Sequence, residues 1–190
     1  MDHLELCVQK YEQLMERDYY LTLENGVKLH IFFKKCNFVH LLGLHKLTDL
    51  AYFSRRAHNS ADTLYRKIRS GGIKEHDLRR SRHFHRIKRR FELFPQLETV
   101  FSGRAVVDFN PTLLERCRLT AEYILYVPYE EGWLHLAIGI NNGECFPESF
   151  FYEQSDYYLK GQKQLAVCEL RIGERPHRQK KSPKGHKQCV

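Results

Sequence analysis

The sequence predicts an α+β fold: N-terminal helices and a β-hairpin packed with an antiparallel sheet of about four to five strands in the C-terminal half. Three observations support that expectation. Helical periodicity is confined to the first half of the chain. Short β-rich runs broken by turn residues fill the second half. Asn-Gly pairs occur at Asn25-Gly26 and Asn142-Gly143, each between two such runs. At 190 residues, 42% hydrophobic and 13% aromatic, the chain is long enough to bury one core. A single domain is expected over 1–173, followed by a basic, disordered tail over 174–190.

The elements follow in order. Leu4, Cys7, Val8, Tyr11, Leu14 and Met15 recur at three- and four-residue steps, which predicts a helix over 2–17. Runs 19–23 and 27–33 flank Asn25-Gly26 as a hairpin. The most apolar stretch, 37–50, carries His40, His45 and Lys46 and reads as a helix continuing to about Arg56. On a straight helix His40 and His45 lie about 140° apart, so they cannot share one site. Either the chain turns near Gly43, or one histidine reaches a site and the other packs. Asn59 or Ser60 can cap a helix through Arg69 that Ser70-Gly71-Gly72 ends, and 81–93 reads as another with Phe84, Ile87, Phe91 and Leu93 inward. Strands are expected over 103–109, over 121–127 (stopped by Pro128), over 133–140 and 144–152 around Asn142-Gly143, and over 164–172.

Lys and Arg number 31 against 23 Asp and Glu, a formal charge of +8, which favours a polyanionic partner. Thirteen basic residues between Arg55 and Arg90 stand against only Asp62, Glu75 and Asp77. A solvated face can look like this, but the excess of arginines suits bidentate phosphate contact. The first residues lack a basic region followed by an apolar one, and no apolar run approaches the roughly 18 residues of a membrane span. A cytoplasmic, reduced setting without membrane contact is therefore expected for the six scattered cysteines.

Phosphate-loop, dinucleotide-binding, H-E-x-x-H and G-x-S-x-G motifs are all missing. Cys36 and His40, four apart with His45 nearby, lack the second ligand pair that structural zinc requires, so neither metal nor cofactor is expected. Attack of a ribose 2′-hydroxyl on the adjacent phosphate needs no metal. It needs a base, an acid for the leaving oxygen and cations for the phosphorane. Imidazole suits the first two roles, and Lys46 or an arginine the third. The segments 147–151 and 157–163 add a hydroxyl, phenols and lysines between strands, as a packed surface loop also would.

The block His40-Leu41-Leu42-Gly43-Leu44-His45-Lys46-Leu47, with Pro147-x-Ser149-Phe150-Phe151 and Tyr158-Leu159-x-Gly161-Gln162, resembles a phage-associated lineage of nucleases of the barnase–EndoU–colicin–RelE-like (PBECR) group over roughly residues 5–172. The resemblance implies helices ahead of a four-stranded antiparallel sheet and metal-independent endoribonuclease activity. It points to His40, His45, Lys46 and Ser149 as motif positions, with Tyr158 and Gln162. The expected protein is then an RNA-cleaving domain of toxin, phage or mobile-element type. His45 or His40 is its base or acid, Lys46 stabilises charge, and Ser149 and Tyr158 position phosphate. Arg66, Arg69, Arg79, Arg80, Arg82, Arg86, Arg89, Arg90, Gln162 and Lys163 hold the RNA, whether tRNA or mRNA. The competing expectation is a non-catalytic nucleic-acid-binding or inhibitor protein. A third is a basic face that docks an acidic protein such as an antitoxin.

Overall fold

In the computed structural model, which describes residues 2–54 and 58–175, the first helix α1 (His3–Met15) is set by its own cap. The Asp2 carboxylate accepts the Glu5 N–H at 2.9 Å, and the Glu5 carboxylate accepts the Asp2 N–H at 3.0 Å, satisfying two donors that a helix start leaves orphaned. The Asn25-Gly26 turn, with Gly26 at φ +83°, joins β1 (Arg17–Leu23) to β2 (Lys28–Phe32). Four helices come next: α2 (Lys35–Leu41), α3 (Ala61–Arg69), α4 (Glu75–Arg79) and α5 (Lys88–Leu93). The chain then forms β3 (Ala105–Asp108), β4 (Tyr123–Tyr129), β5 (Gly132–Asn141), β6 (Glu144–Glu153) and β7 (Lys163–Glu174).

The mixed α+β character is as expected, but the sheet is larger than expected. It is a closed barrel of seven strands in the order β1-β2-β6-β5-β4-β3-β7, not a separate sheet of four to five. The cause is the length of β7. Its first residues, Lys163 to Ala166, pair with β3, and Val167 to Glu174 pair with β1, so one strand joins the hairpin to the C-terminal strands. Closure needs only β2 against β6. That seam is one parallel pair, Ile31 with Cys145, in an otherwise antiparallel sheet. Pairing both edges removes the exposed N–H and C=O groups of an open sheet.

Other boundaries moved for local reasons. Strand β4 runs through Pro128, because β3 covers β4 only as far as Leu125 and the proline's missing N–H faces no partner strand there. The single helix expected over 81–93 is instead a 3₁₀ turn at Phe84–Arg86 followed by α5. Ser81 holds the chain out of a helix: its hydroxyl donates to Asp49 at 2.5 Å and accepts the His83 N–H at 3.1 Å. Phe84, Ile87, Phe91 and Leu93 are nevertheless all buried, as their spacing predicts. At the far end, Arg175 is tied to the fold through the Phe33 carbonyl at 3.1 Å and Asp18 at 3.4 Å. The rest of the expected tail, 176–190, lies outside the described residues, as do Arg55 and Arg56.

An aromatic network fastens the helices to the barrel. Phe38 of α2 lies 5.0 Å from Tyr11, 5.3 Å from Tyr65 and 5.5 Å from Phe94, and Phe94 meets Phe150 of β6 at 6.0 Å. Successive β5 residues serve opposite faces. Leu134, Leu136 and Ile138 join this main core, while Ala137 joins a smaller cluster with Val107, Phe109, Ile124 and Leu159.

His135 lies on the smaller side, fully buried and stacked on Phe151 at 4.7 Å, and among the described residues neither ring nitrogen has a hydrogen-bond partner. Burial pushes its pKa down to about 4 against an ordinary 6.5, although the backbone at Trp133 and Phe151 favours a ring N–H. The unfolded chain therefore binds the proton first. His135 contributes stability in full above pH 6.5 and loses it as pH falls toward 4, about 3 kcal/mol in all. His135→Phe is expected to flatten the acid arm of a urea-denaturation series between pH 7 and 4. An unchanged slope would place the acid sensitivity elsewhere.

Candidate active site

Helix α2 stops because Gly43 turns it. Gly43 takes φ +82°, its N–H bonds the His40 carbonyl at 2.9 Å, and its own carbonyl accepts the Lys46 N–H at 3.0 Å to start a 3₁₀ turn at Leu44–Lys46. The helix expected to reach Arg56 thus ends at Leu41. This turn brings the two histidines together: the rings of His40 and His45 stack at 4.3 Å with 11° between their planes. Of the two arrangements that the spacing allows, the chain adopts the turn. Asp49 holds the segment after it by accepting from the Ser81 hydroxyl and, at 2.9 Å, from the Arg82 N–H.

Gly43 is also a point of close approach. A Cβ there would lie 3.0 Å from Ile87 Cγ2 and 3.2 Å from Arg90 Cδ. Gly43→Ala is expected to cost about 1–2 kcal/mol through the left-handed backbone alone. Because it also pushes Arg90 away from the histidines, any activity of this site should fall about 100-fold or more. Chemical denaturation and a turnover assay on the same protein read the two effects separately. A stable variant with full turnover would mean that the position of Arg90 is unimportant.

Arg90 is the residue that joins the two halves of the site. Its Nη2 reaches the Ser149 hydroxyl of β6 at 3.5 Å, and burial pulls its pKa down to about 10 with Tyr158 opposing the shift. Among the described residues no ion pair involves Arg90. A guanidinium this enclosed without a carboxylate is costly unless an anion completes it. Lys46 is likewise lowered, by burial first and then by Arg90 and Arg86. The imidazoles keep exposed edges but respond to the same cations. His45 is pushed down to about 4 by burial, His40, Lys46 and Arg90, and His40 is lowered by burial and Arg90. Two imidazoles with lowered pKa values beside Lys46, Arg86 and Arg90 make a cationic cluster whose charge suits an anion.

One carboxylate breaks the symmetry of the pair. Register slips between Ala137 and Ile138, which face Ser149 and Pro147, so Glu148 is the unpaired residue of a β-bulge. Its Oε1 accepts both the N–H and the hydroxyl of Thr120 at 3.1 Å, and its charge acts against the lowering of His40. Tyr158 packs with Phe151 at 4.8 Å, and burial holds its phenol above the ordinary range, hence protonated and able to donate.

The arginine belt divides. Arg69 pairs with Glu12, Arg79 with Glu75 at 2.6 Å, and Arg89 with Glu130 while lying 4.7 Å over the Tyr152 ring, so these three brace the fold. Arg66 bonds within its own helix turn, to the Asp62 carbonyl at 3.4 Å, and Arg80 and Arg82 are exposed. Arg86 and Arg90 are the two whose charges act on the histidine–lysine group. Gln162 is buried and clamps Asn110, accepting its N–H at 2.9 Å and donating to its carbonyl at 3.0 Å. Lys163 pairs with Asp108 at 3.3 Å. The structure thus gives Gln162 and Lys163 partners inside the fold, and brings His40, His45, Lys46, Arg86, Arg90, Ser149 and Tyr158 into one neighbourhood. Among the described residues no group of three His, Cys, Asp or Glu side chains converges as a metal site.

Nothing in the sequence pattern sets Glu148 apart within 147–151, or Arg90 apart from its neighbours, except that Arg90 lies three residues after Ile87, on the flank of a buried helical stripe.

A family model described as phage-Barnase-EndoU-ColicinE5/D-RelE like nuclease4 (PBECR4) matches residues 4–175. No curated protein and no solved structure matches the chain.

Proposed function

The chain belongs to this PBECR4 nuclease family, and from that premise we propose that it is an endoribonuclease that works without a metal, by attack of the ribose 2′-hydroxyl on the adjacent phosphate. The observation that carries the reading is the stacked His40–His45 pair beside Arg90, an enclosed cation with no carboxylate partner among the described residues.

The scissile phosphate sits between the Arg90 guanidinium, Lys46 and the Ser149 hydroxyl. His45, the more depressed imidazole, is neutral at pH 7 and takes the 2′-hydroxyl proton as the 2′-oxygen bonds to phosphorus. His40, favoured as the protonated partner by Glu148, donates its proton to the 5′-oxygen as the P–O5′ bond breaks. The products are a 2′,3′-cyclic phosphate and a 5′-hydroxyl. The apical oxygens of an in-line displacement lie on opposite sides of phosphorus, a separation of the same order as that between two stacked rings. Parallel imidazole edges can therefore serve both. Arg90, Lys46 and the Tyr158 phenol face the charge that develops on the equatorial oxygens.

RNA is the proposed partner, and exposed Arg66, Arg80, Arg82 and Arg86 extend the cationic surface along its backbone. The net charge of +8 also suits an acidic inhibitor, as a toxin would need. No helix among the described residues is long and apolar enough to cross a membrane.

The test is the full chain incubated with tRNA, a long single-stranded RNA and a matching DNA, in excess EDTA. Expected are RNA fragments ending in 2′,3′-cyclic phosphate and intact DNA. Cleavage abolished by EDTA would overturn the metal-independent step. Intact RNA with a shifted band on a native gel would turn the reading to a binding protein.

A further inference from the structure

A second feature opens on the same histidines. His40 and His45 form one wall of a cavity of about 310 Å³ whose other walls come from the segment before α3 and from α3 itself. Its apolar lining comes from Val39, Phe53 and Leu64, and its aromatic and polar lining from Tyr52, Ser54, His58 and Asn59. The Asn59 amide is held in place, because Nδ2 donates to the Tyr52 carbonyl at 3.2 Å, which leaves Oδ1 free to accept. The Tyr52 ring is half-buried, and Lys67 Nζ lies 5.8 Å from its centroid. Among the described residues no lysine or arginine lines this space, which sets it apart from the cluster of Lys46, Arg86 and Arg90 beside it.

We propose that this cavity is a nucleobase subsite, taking the base of the nucleotide whose phosphate sits at Arg90. The inference rests on the nuclease reading of that site and adds to it a source of sequence preference. A base bonded through its sugar to a phosphate held by Arg90 and Lys46 is the one part of the substrate that must lie within a nucleotide's length of the histidines. A flat aromatic heterocycle with hydrogen-bonding edges suits an aromatic and apolar chamber holding a fixed amide. Single-stranded RNA is read in this way, by stacking on aromatic side chains and hydrogen bonds to unpaired base edges. The volume lies at the small end of ligand cavities, about 300–1,000 Å³, which suits one base and not a stacked pair. Tyr52 supplies the stacking face and Asn59 the edge contact.

The experiment measures binding of inorganic phosphate and of the four nucleoside 3′-monophosphates to the full chain by calorimetry, in wild type, Tyr52→Ala, Tyr52→Phe and Asn59→Ala. At least one nucleotide is expected to bind about 10-fold or more tightly than phosphate. Tyr52→Ala should remove that advantage, Tyr52→Phe should keep it, and Asn59→Ala should compress the differences among the four bases. Phosphate affinity should stay the same in all three variants. Nucleotides that bind no tighter than phosphate, or a preference that survives Tyr52→Ala, would overturn the subsite. Cleavage kinetics on dinucleotides of each base separate this from the parent reading. A base preference in binding without any cleavage removes the nuclease mechanism and leaves the subsite. Cleavage indifferent to the base removes the subsite and leaves the mechanism.

Discussion

His45→Ala is expected to lower RNA cleavage by about 100- to 10,000-fold, the usual worth of a positioned general base, while phosphate affinity changes little. The split follows from where the charges are. At pH 7 the His45 imidazole is neutral, held down near 4 by burial and by His40, Lys46 and Arg90, so it adds no charge with which to hold a phosphate. His40→Ala should be comparably inactive, but for the opposite proton. A substrate with a leaving group better than an alkoxide, such as a nitrophenolate, needs no acid. It should restore turnover to His40→Ala and not to His45→Ala. Rescue of the His45 variant instead would exchange the two roles.

The pH profile gives the sign. The rate constant kcat/KM reports the free enzyme, where a base must be unprotonated and an acid protonated. With His45 at about 4 and His40 below its ordinary 6.5, activity should rise as pH climbs through about 4 and fall again before pH 6.5. The optimum then lies on the acid side. The two steps belong to the stacked pair as a coupled unit, since a proton on either ring opposes one on the other. Bound phosphate brings negative charge to both rings and raises both pKa values, so the bell for kcat should sit at higher pH than that for kcat/KM. Coincident profiles would mean that the phosphate does not approach the histidines.

Much of this was legible in the residues because local rules decide it. The Asn25-Gly26 turn, the Ser60 cap that accepts the Thr63 N–H at 3.2 Å and the buried stripe from Phe84 to Leu93 each follow from spacing over a few positions. The histidine pair was half legible. Helical geometry states that His40 and His45 meet only if the chain turns, and Gly43 is the residue that permits it, but the competing straight helix was also consistent with the pattern. What could not be read is long-range. That β7 would span both β3 and β1, and so close the sheet, depends on pairing across 140 residues or more between Arg17–Leu23 and Val167–Glu174. That Arg90 faces a site while Arg89 pairs with Glu130 depends on which side of α5 meets β6. Adjacent arginines look alike in a sequence, and the fold alone separates them.

Arg90 should show the largest divergence between activity and stability. Arg90→Met keeps the length of the side chain and its contact with Gly43 and Ile87 but removes the charge. Cleavage is expected to fall by about 100- to 1,000-fold, the loss that follows removal of one preorganised donor to a developing oxyanion. Stability should hold or rise. The guanidinium is partly desolvated, its pKa pulled down to about 10, and its side-chain hydrogen bond among the described residues is one long contact with a neutral hydroxyl, Ser149, at 3.5 Å. Replacing such a group with an apolar one of similar volume relieves a desolvation cost and breaks no ion pair. The same substitution should raise the pKa of both histidines, because Arg90 lowers each of them, and NMR titration of the imidazoles reads this directly. The order of effects is therefore specific: activity down, melting temperature unchanged or up, imidazole pKa up. A variant that loses stability along with activity would instead make Arg90 a brace of the fold like Arg89. A variant that loses neither would leave the histidines without the cation on which the proposed chemistry depends.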